Sequence, residues 1–246
     1  MPLHLDRPDG GAVAVLTLDR PERRNALDHA TLDELADAFA ALAAETPRVL
    51  VLTGAGGHFC AGADLTGVED RSFAARLQEV LDALRDLSCP TIAAVDGAAL
   101  GAGTQLAVAC ALRVATAGAS FGIPAGKLGL MVNHWTVQRV ATLAGPSTAR
   151  AILLAAEVVR GDHAVRIGFA NREGDLDAAV AWAAEIARLA PLTLAGHKVM
   201  LNRLEVPPVD ADGAVEAAFD RAWTSADLQE GLDAFRARRT AEFHGR

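Results

Sequence analysis

Residues 93–110, AAVDGAALGAGTQLAVAC, decide the fold. A buried strand, Thr91 to Val95, breaks at Asp96-Gly97 and gives way to a small-residue turn, Gly101 to Gln105, that feeds a helix. The same grammar repeats upstream. Val13 to Leu18 reads as a strand closed by the basic turn RPERRNAL (20–27), and from Asp28 the period turns helical, with Leu32, Leu35, Phe39 and Leu42 on one face. Val49 to Thr53 is a second strand, ending in the glycine-rich stretch 54–64. An amphipathic helix through Phe73, Leu77, Val80, Leu81 and Leu84 stops at Ser88-Cys89-Pro90, and Leu112 to Thr116 is a fourth strand. Strands alternating with helices predict a parallel α/β sheet with right-handed crossovers.

Past about residue 135 the pattern is helical almost throughout (Val137, Val140, Leu143, Ile152, Leu153, later Leu228, Leu232 and Phe235), which predicts a helical tail and no second sheet. Pro207-Pro208-Val209-Asp210 is the clearest internal break, and no fixed repeat stands out.

At 246 residues and 51% hydrophobic content the chain can bury a full core. A net charge of −8 argues against a general nucleic-acid binder, which needs a positive field along phosphates. The opening MPLHLDRPDG lacks the apolar core of a signal peptide, and no apolar run reaches membrane-spanning length. The three cysteines, Cys60, Cys89 and Cys110, form no C-x-x-C pair; each reads as a small core residue, and a cytoplasmic location is expected. No metal is indicated, since the seven histidines offer no H-E-x-x-H.

Chemistry is expected at two strand-to-helix junctions, Cys60 to Asp64 and Gly101 to Gln105. Both fall at the carboxyl ends of parallel strands, where open α/β sheets bind ligands. Small residues let a ligand approach the backbone, and N–H groups at a helix start can stabilise an oxyanion or a polarised carbonyl. Tight strand–helix packing would explain the same small residues without a ligand. Other motifs fail on context: Gly118 to Gly122 matches G-x-S-x-G, but Gly122-Ile123-Pro124 does not open the helix a nucleophile elbow requires, and Gly54-Ala55-Gly56-Gly57 lacks the Gly-Lys-Ser/Thr of a phosphate loop.

The strings RPERRNAL, HFCAGADL (58–65), 93–110, SFGIPAGKLGL (120–130) and DLQEGLDAF (227–235), in this order, resemble the signature of the crotonase, or enoyl-CoA hydratase/isomerase, superfamily. The resemblance implies a β-β-α spiral core over residues 1–190 carrying an acyl-CoA site. It also implies a helical oligomerisation region over 191–246, assembling as a homotrimer or dimer of trimers. The implied ligand is a fatty acyl-CoA or enoyl-CoA, and the implied cofactor is none, coenzyme A entering only as part of the thioester. By the same resemblance the peptide N–H groups of Ala63 and Ala102 hold the thioester carbonyl. The backbone around Arg24, Ala26, Ala61, Asp64 and Leu65 takes the adenine and pantetheine portions, and Arg24 can meet a phosphate. Pro124, Ala125, Gln105 and Trp135 would border the acyl portion.

The chain departs from the hydratase pattern at the two positions where the resemblance implies glutamates: they hold Gln105 and Ala125. Neither side chain moves a proton, and positioned proton transfer contributes ~10²–10⁴-fold per group. The resulting expectation is an acyl-CoA-binding protein of fatty-acid metabolism with little or no hydratase activity, similar to superfamily members that lack the glutamate pair. The alternative is an active family enzyme using another base, His134 being the best candidate with a reference pKa of about 6.5 and Asp64 the next. A structural trimer partner without CoA affinity is the third reading. Phe73, Leu84, Met131 and Trp135 are candidates to set acyl-chain length, while Trp182 and Trp223 read as core or subunit interface.

Overall fold

The structure, a computed structural model, describes residues 2–8, 11–65, 71–205 and 213–244. The break at Pro207 to Asp210 lies outside them. In chain order the elements are β1 (Leu3–Asp6), β2 (Val13–Leu18), α1 (His29–Ala44), β3 (Val49–Gly54), α2 (Arg71–Asp86), β4 (Thr91–Val95), β5 (Ala98–Leu100), α3 (Ala102–Ala109), β6 (Leu112–Ala115) and β7 (Ser120–Gly122). They continue with α4 (His134–Ala144), α5 (Pro146–Leu154), β8 (Val159–Arg160), α6 (Gly161–Arg166), β9 (Arg172–Glu173), α7 (Leu176–Ile186), α8 (Pro191–Glu205), α9 (Gly213–Trp223) and α10 (Ala226–Ala237).

Six strands form the main sheet in the order β1-β2-β3-β4-β6-β9, parallel except for the antiparallel edge strand β1. Side chains alternate across it. Leu16, Leu18, Leu50, Leu52, Ala93 and Val95 enter the larger core with α1, α2 and α3, whereas Val13, Val15, Val49, Val51, Ile92 and Ala94 meet Ala179, Ala183 and Ile186 of α7. Burial on both faces is what lets the parallel strands run continuously apolar. On α1, Leu32, Leu35, Phe39 and Leu42 are all buried, as their spacing predicts, each stabilising by roughly 1.5–3 kcal/mol. Asp28 caps that helix by accepting from the Thr31 N–H at 2.8 Å.

A second sheet, β5-β7-β8, corrects the expectation of a purely helical second half: Val159–Arg160 pairs with β7, and Arg172–Glu173 adds the last strand to the main sheet. Two-residue strands carry no periodicity, so their pairing is decided by tertiary contact alone. Gly118 to Gly122 runs into β7 and then a short 3-10 helix, Pro124–Lys127, as the failed nucleophile-elbow match requires. Among the described residues no single helix is long and apolar enough to cross a membrane; the bent pair of α7 and α8, kinked by 112°, passes only when taken together.

Three cations are buried near the carboxyl ends of α2 and α3. Arg139 Nε donates to the Val108 carbonyl at 2.6 Å and Arg113 Nη1 to that of Cys110 at 3.1 Å, both at the end of α3, while Arg113 Nε reaches the Phe169 carbonyl at 2.6 Å; Lys198 Nζ donates to Leu87 and Cys89, just past α2, at 2.7 and 2.8 Å. Carbonyls at a helix carboxyl end hold such charges favourably, while burial pulls Lys198 down to about 8 and both arginines to about 10.

Candidate functional site

Two loops build the site, and a third segment locks the first of them. Asn25, almost fully buried, donates through Nδ2 to the Ala55 and His58 carbonyls at 2.9 and 2.6 Å and accepts from the Arg20 N–H at 2.9 Å. Its φ of +57 is a left-handed conformation that asparagine tolerates. This ties the RPERRNAL turn to the 54–60 loop, and the Ala61 N–H then donates to the Arg24 carbonyl at 3.0 Å.

Beyond Ala61 the chain forms a parallel bridge between Leu27 and Ala63: the Leu27 N–H donates to the Gly62 carbonyl at 2.8 Å, and the Asp64 N–H donates to the Leu27 carbonyl at 2.6 Å. In such a bridge the flanking residues make the bonds, so the Ala63 N–H is turned away from Leu27. Cys60 bridges Ala99 in the same way, laying this loop beside β5 and the start of α3. The two loops touch at their glycines: a Cβ on Gly62 would meet the Leu100 carbonyl oxygen at 3.0 Å and the Ala102 nitrogen at 3.9 Å. Ala102 is the first residue of α3, preceded by Gly101 without any side-chain cap, so its N–H belongs to the turn that has no acceptor within the helix.

Both alanines line one cavity of about 560 Å³. Of the residues expected at the site, it brings together Ala61, Ala63, Leu65, Ala102, Gln105, Pro124 and Ala125. Arg24, Ala26, Asp64, His134 and Trp135 are not in its wall. Arg24 is exposed, and the Ala26 carbonyl accepts from Arg20 Nη1 at 2.9 Å. The Asp64 carboxylate faces Arg20 Nη2 at 3.6 Å, and Arg20 also pairs with Asp28 at 2.8 Å. His134 opens α4 directly after its cap, Asn133. Trp135 is buried in the larger core. Of the chain-length candidates, Phe73 and Met131 line the cavity, whereas Leu84 is core.

Gln78 of α2 and Phe219 of α9 are wall residues that the sequence did not single out. Asn133 supplies a further amide, and Trp223 and Phe235, read from the sequence as core or interface and as part of a helical pattern, close the cavity from α9 and α10. Trp223 is therefore a wall residue, and its indole N–H donates to the Met131 carbonyl at 2.9 Å. The i, i+4 pair Phe219 and Trp223, with ring centroids 5.9 Å apart, was the available signal. α10 is seated by two glycine contacts: a Cβ on Gly231 would meet the Leu128 carbonyl oxygen at 2.3 Å, and one on Gly129 the Asp227 carbonyl oxygen at 2.6 Å.

The wall is mostly apolar, and Ala63, Ala102 and the amide residues Gln105, Gln78 and Asn133 all belong to it. Such a surface can bind an acyl chain and polarise a carbonyl; Gln105 and Ala125 cannot exchange a proton with it. Among the described residues no group of three or more His, Cys, Asp or Glu side chains could hold a metal ion.

A family model described as enoyl-CoA hydratase/isomerase matches residues 9–246. The Mycobacterium tuberculosis protein named "Probable enoyl-CoA hydratase echA6" is 43% identical over 245 residues, covering 95% of this chain and 96% of that protein. Crotonyl-CoA hydratase of Syntrophomonas wolfei is 36% identical over 245 residues, covering 94% of each. The solved structure of an enoyl-CoA hydratase/isomerase family protein from Hyphomonas neptunium superposes with a TM-score of 0.77 at 31% identity, over 100% of this chain and 98% of that one. The α/β architecture with a helical carboxyl-terminal region, expected from the ordered motifs, is the architecture of that fold.

Proposed function

The chain belongs to the enoyl-CoA hydratase/isomerase family, and from that premise we propose that it binds a coenzyme A thioester of a fatty acid, polarises its carbonyl, and catalyses little or no hydration. The observation that carries this reading is the meeting of Ala63, Ala102, Gln105 and Ala125 in one cavity wall. The thioester oxygen is held by the peptide N–H groups of Ala63 and Ala102. Retained oxyanion donors matter, since removing one from an enzyme costs roughly 10²–10³ in rate. The proton-transfer half of the reaction has no group to perform it: the Gln105 amide hydrogen-bonds Thr136 instead, 2.8 Å from its hydroxyl oxygen, and Ala125 has only a methyl.

Asp64 and His134 do not compete for that role on geometry, because neither stands in the cavity wall. In this reading the protein holds or hands over acyl-CoA, with the acyl chain running past Phe73, Leu77 and Met131 toward Phe219 and Trp223. Assembly as a homotrimer or dimer of trimers belongs to the same proposal. It is favoured by the exposed apolar residues Leu192, Val199, Met200 and Leu201 on α8.

Calorimetric titration with CoA thioesters of increasing acyl length tests the binding claim. Micromolar affinity that strengthens with chain length until the cavity is filled is expected. Failure to bind any of them would overturn it and leave the structural-subunit reading.

A further inference from the structure

Gln105 sits at the inner end of a run of hydrogen bonds that begins at the protein surface. Gln78 Nε2 donates to the Asp82 carboxylate at 2.8 Å, and Gln78 Oε1 in turn accepts from Asn133 Nδ2. Asn133 Oδ1 is the cap of α4: it accepts the Thr136 N–H at 3.0 Å and lies 2.8 Å from Thr136 Oγ1. Thr136 Oγ1 is also 2.8 Å from the amide of Gln105, at Oε1.

A hydroxyl has one proton to give. Asn133 cannot turn over, because its oxygen caps the helix and its nitrogen serves Gln78, so the Thr136 proton is committed to Asn133. Gln105 is under no such constraint. Its second amide atom has no protein partner among the described residues and is not enclosed by protein, and the residue lines the cavity. Rotating a terminal amide by 180° exchanges oxygen and nitrogen without moving the chain. With Nε2 turned to Thr136, the hydroxyl gives its proton to Asn133 and accepts one from Gln105, so no two oxygens in the run face each other without a proton between them.

We infer that Thr136, fixed by Asn133, is a positioning residue that makes Gln105 present its carbonyl oxygen to the cavity, so that the site prefers an acyl thioester bearing a hydroxyl donor over the corresponding oxo compound. This inference rests on the acyl-CoA reading of the same cavity. An acceptor at this point pairs with an O–H of the ligand and repels a ketone oxygen. The residue type at position 105 alone would allow either preference; Thr136 decides between them.

Calorimetry with 3-hydroxybutyryl-CoA (each enantiomer), acetoacetyl-CoA and butyryl-CoA tests it. One hydroxy enantiomer is expected to bind on the order of tenfold tighter than acetoacetyl-CoA. Thr136→Val, which keeps the shape and removes the hydroxyl, brings the two toward parity, and Thr136→Ser retains the preference. The unmodified protein and the serine variant decide the matter even if the valine variant does not fold. Equal affinity of hydroxy and oxo forms in the unmodified protein overturns the inference while butyryl-CoA binding leaves the acyl-CoA reading standing. If none of the three binds, that reading falls and this inference with it.

Discussion

Gly103 stands against the Cys60 backbone so closely that a Cβ at position 103 would lie 2.0 Å from the Cys60 carbonyl oxygen. The contact presses the first turn of α3 onto the loop that carries Ala63. Gly103→Ala must therefore push the two loops apart, at a cost of about 1–3 kcal/mol, and should weaken CoA-thioester binding more than its melting temperature alone would suggest. Gly126→Ala meets nothing within 4 Å and is the control; its stability should stay within about 0.5 kcal/mol. Thermal melts and titrations on the two variants check this.

Asn25 satisfies three backbone groups from one buried side chain. Asn25→Ala leaves the Ala55 and His58 carbonyls and the Arg20 N–H without it, a loss on the order of 3 kcal/mol. Urea denaturation should show a lower midpoint with an unchanged slope. An unchanged midpoint would mean the turn is held by other contacts.

The chain has two lysines, and one of them, Lys198, is buried with its ammonium pulled down to about 8 by desolvation. Between that value and the ordinary 10.5 the unfolded chain binds a proton that the folded chain has released, so this group makes stability rise with pH above about 8. Below about 8 both states hold the proton and the dependence vanishes. The buried thiols act oppositely above their ordinary 9.0, because the unfolded chain ionises first. The Lys198 contribution is thus read as the difference between the unmodified protein and Lys198→Met in urea melts from pH 7.5 to 9. That difference should shift steadily in favour of the unmodified protein.

Burial pushes the Cys60 and Cys110 thiols up to about 12 and raises Cys89 as well. The thiolate is the reactive form, so none of the three should be alkylated by iodoacetamide at pH 8 until the protein is denatured. Labelling of the native protein followed by mass spectrometry checks this.

Much of this architecture was legible because strand and helix periods are written in side-chain order. Leu16 and Val15, or Leu52 and Val51, announce a sheet buried on both faces, and Leu32 to Leu42 announces the helix that covers it. The loop junctions were legible for a different reason, since only small residues permit the approach of Gly62 to Leu100 and of Gly103 to Cys60. What could not be read was long-range. The two-residue strands β8 and β9 have no period, and the aromatic wall comes from far along the chain: Phe219 and Trp223 reach the cavity from α9, and Phe235 from α10, which Gly129 and Gly231 seat on the 128–130 segment. Position in the chain also put the segment Leu130 to Trp135 near the acyl end: Leu130, Met131, Val132 and Asn133 line the cavity, while His134 opens α4 and Trp135 is buried in the larger core.

The most direct test of the central claim is a crotonyl-CoA hydration assay on the unmodified protein beside the Gln105→Glu, Ala125→Glu double variant. No turnover above background in the first and measurable turnover in the second is the expected result, since the proposed function has the cavity polarise the carbonyl and lack only the groups that transfer protons. Rapid hydration by the unmodified protein would contradict the account.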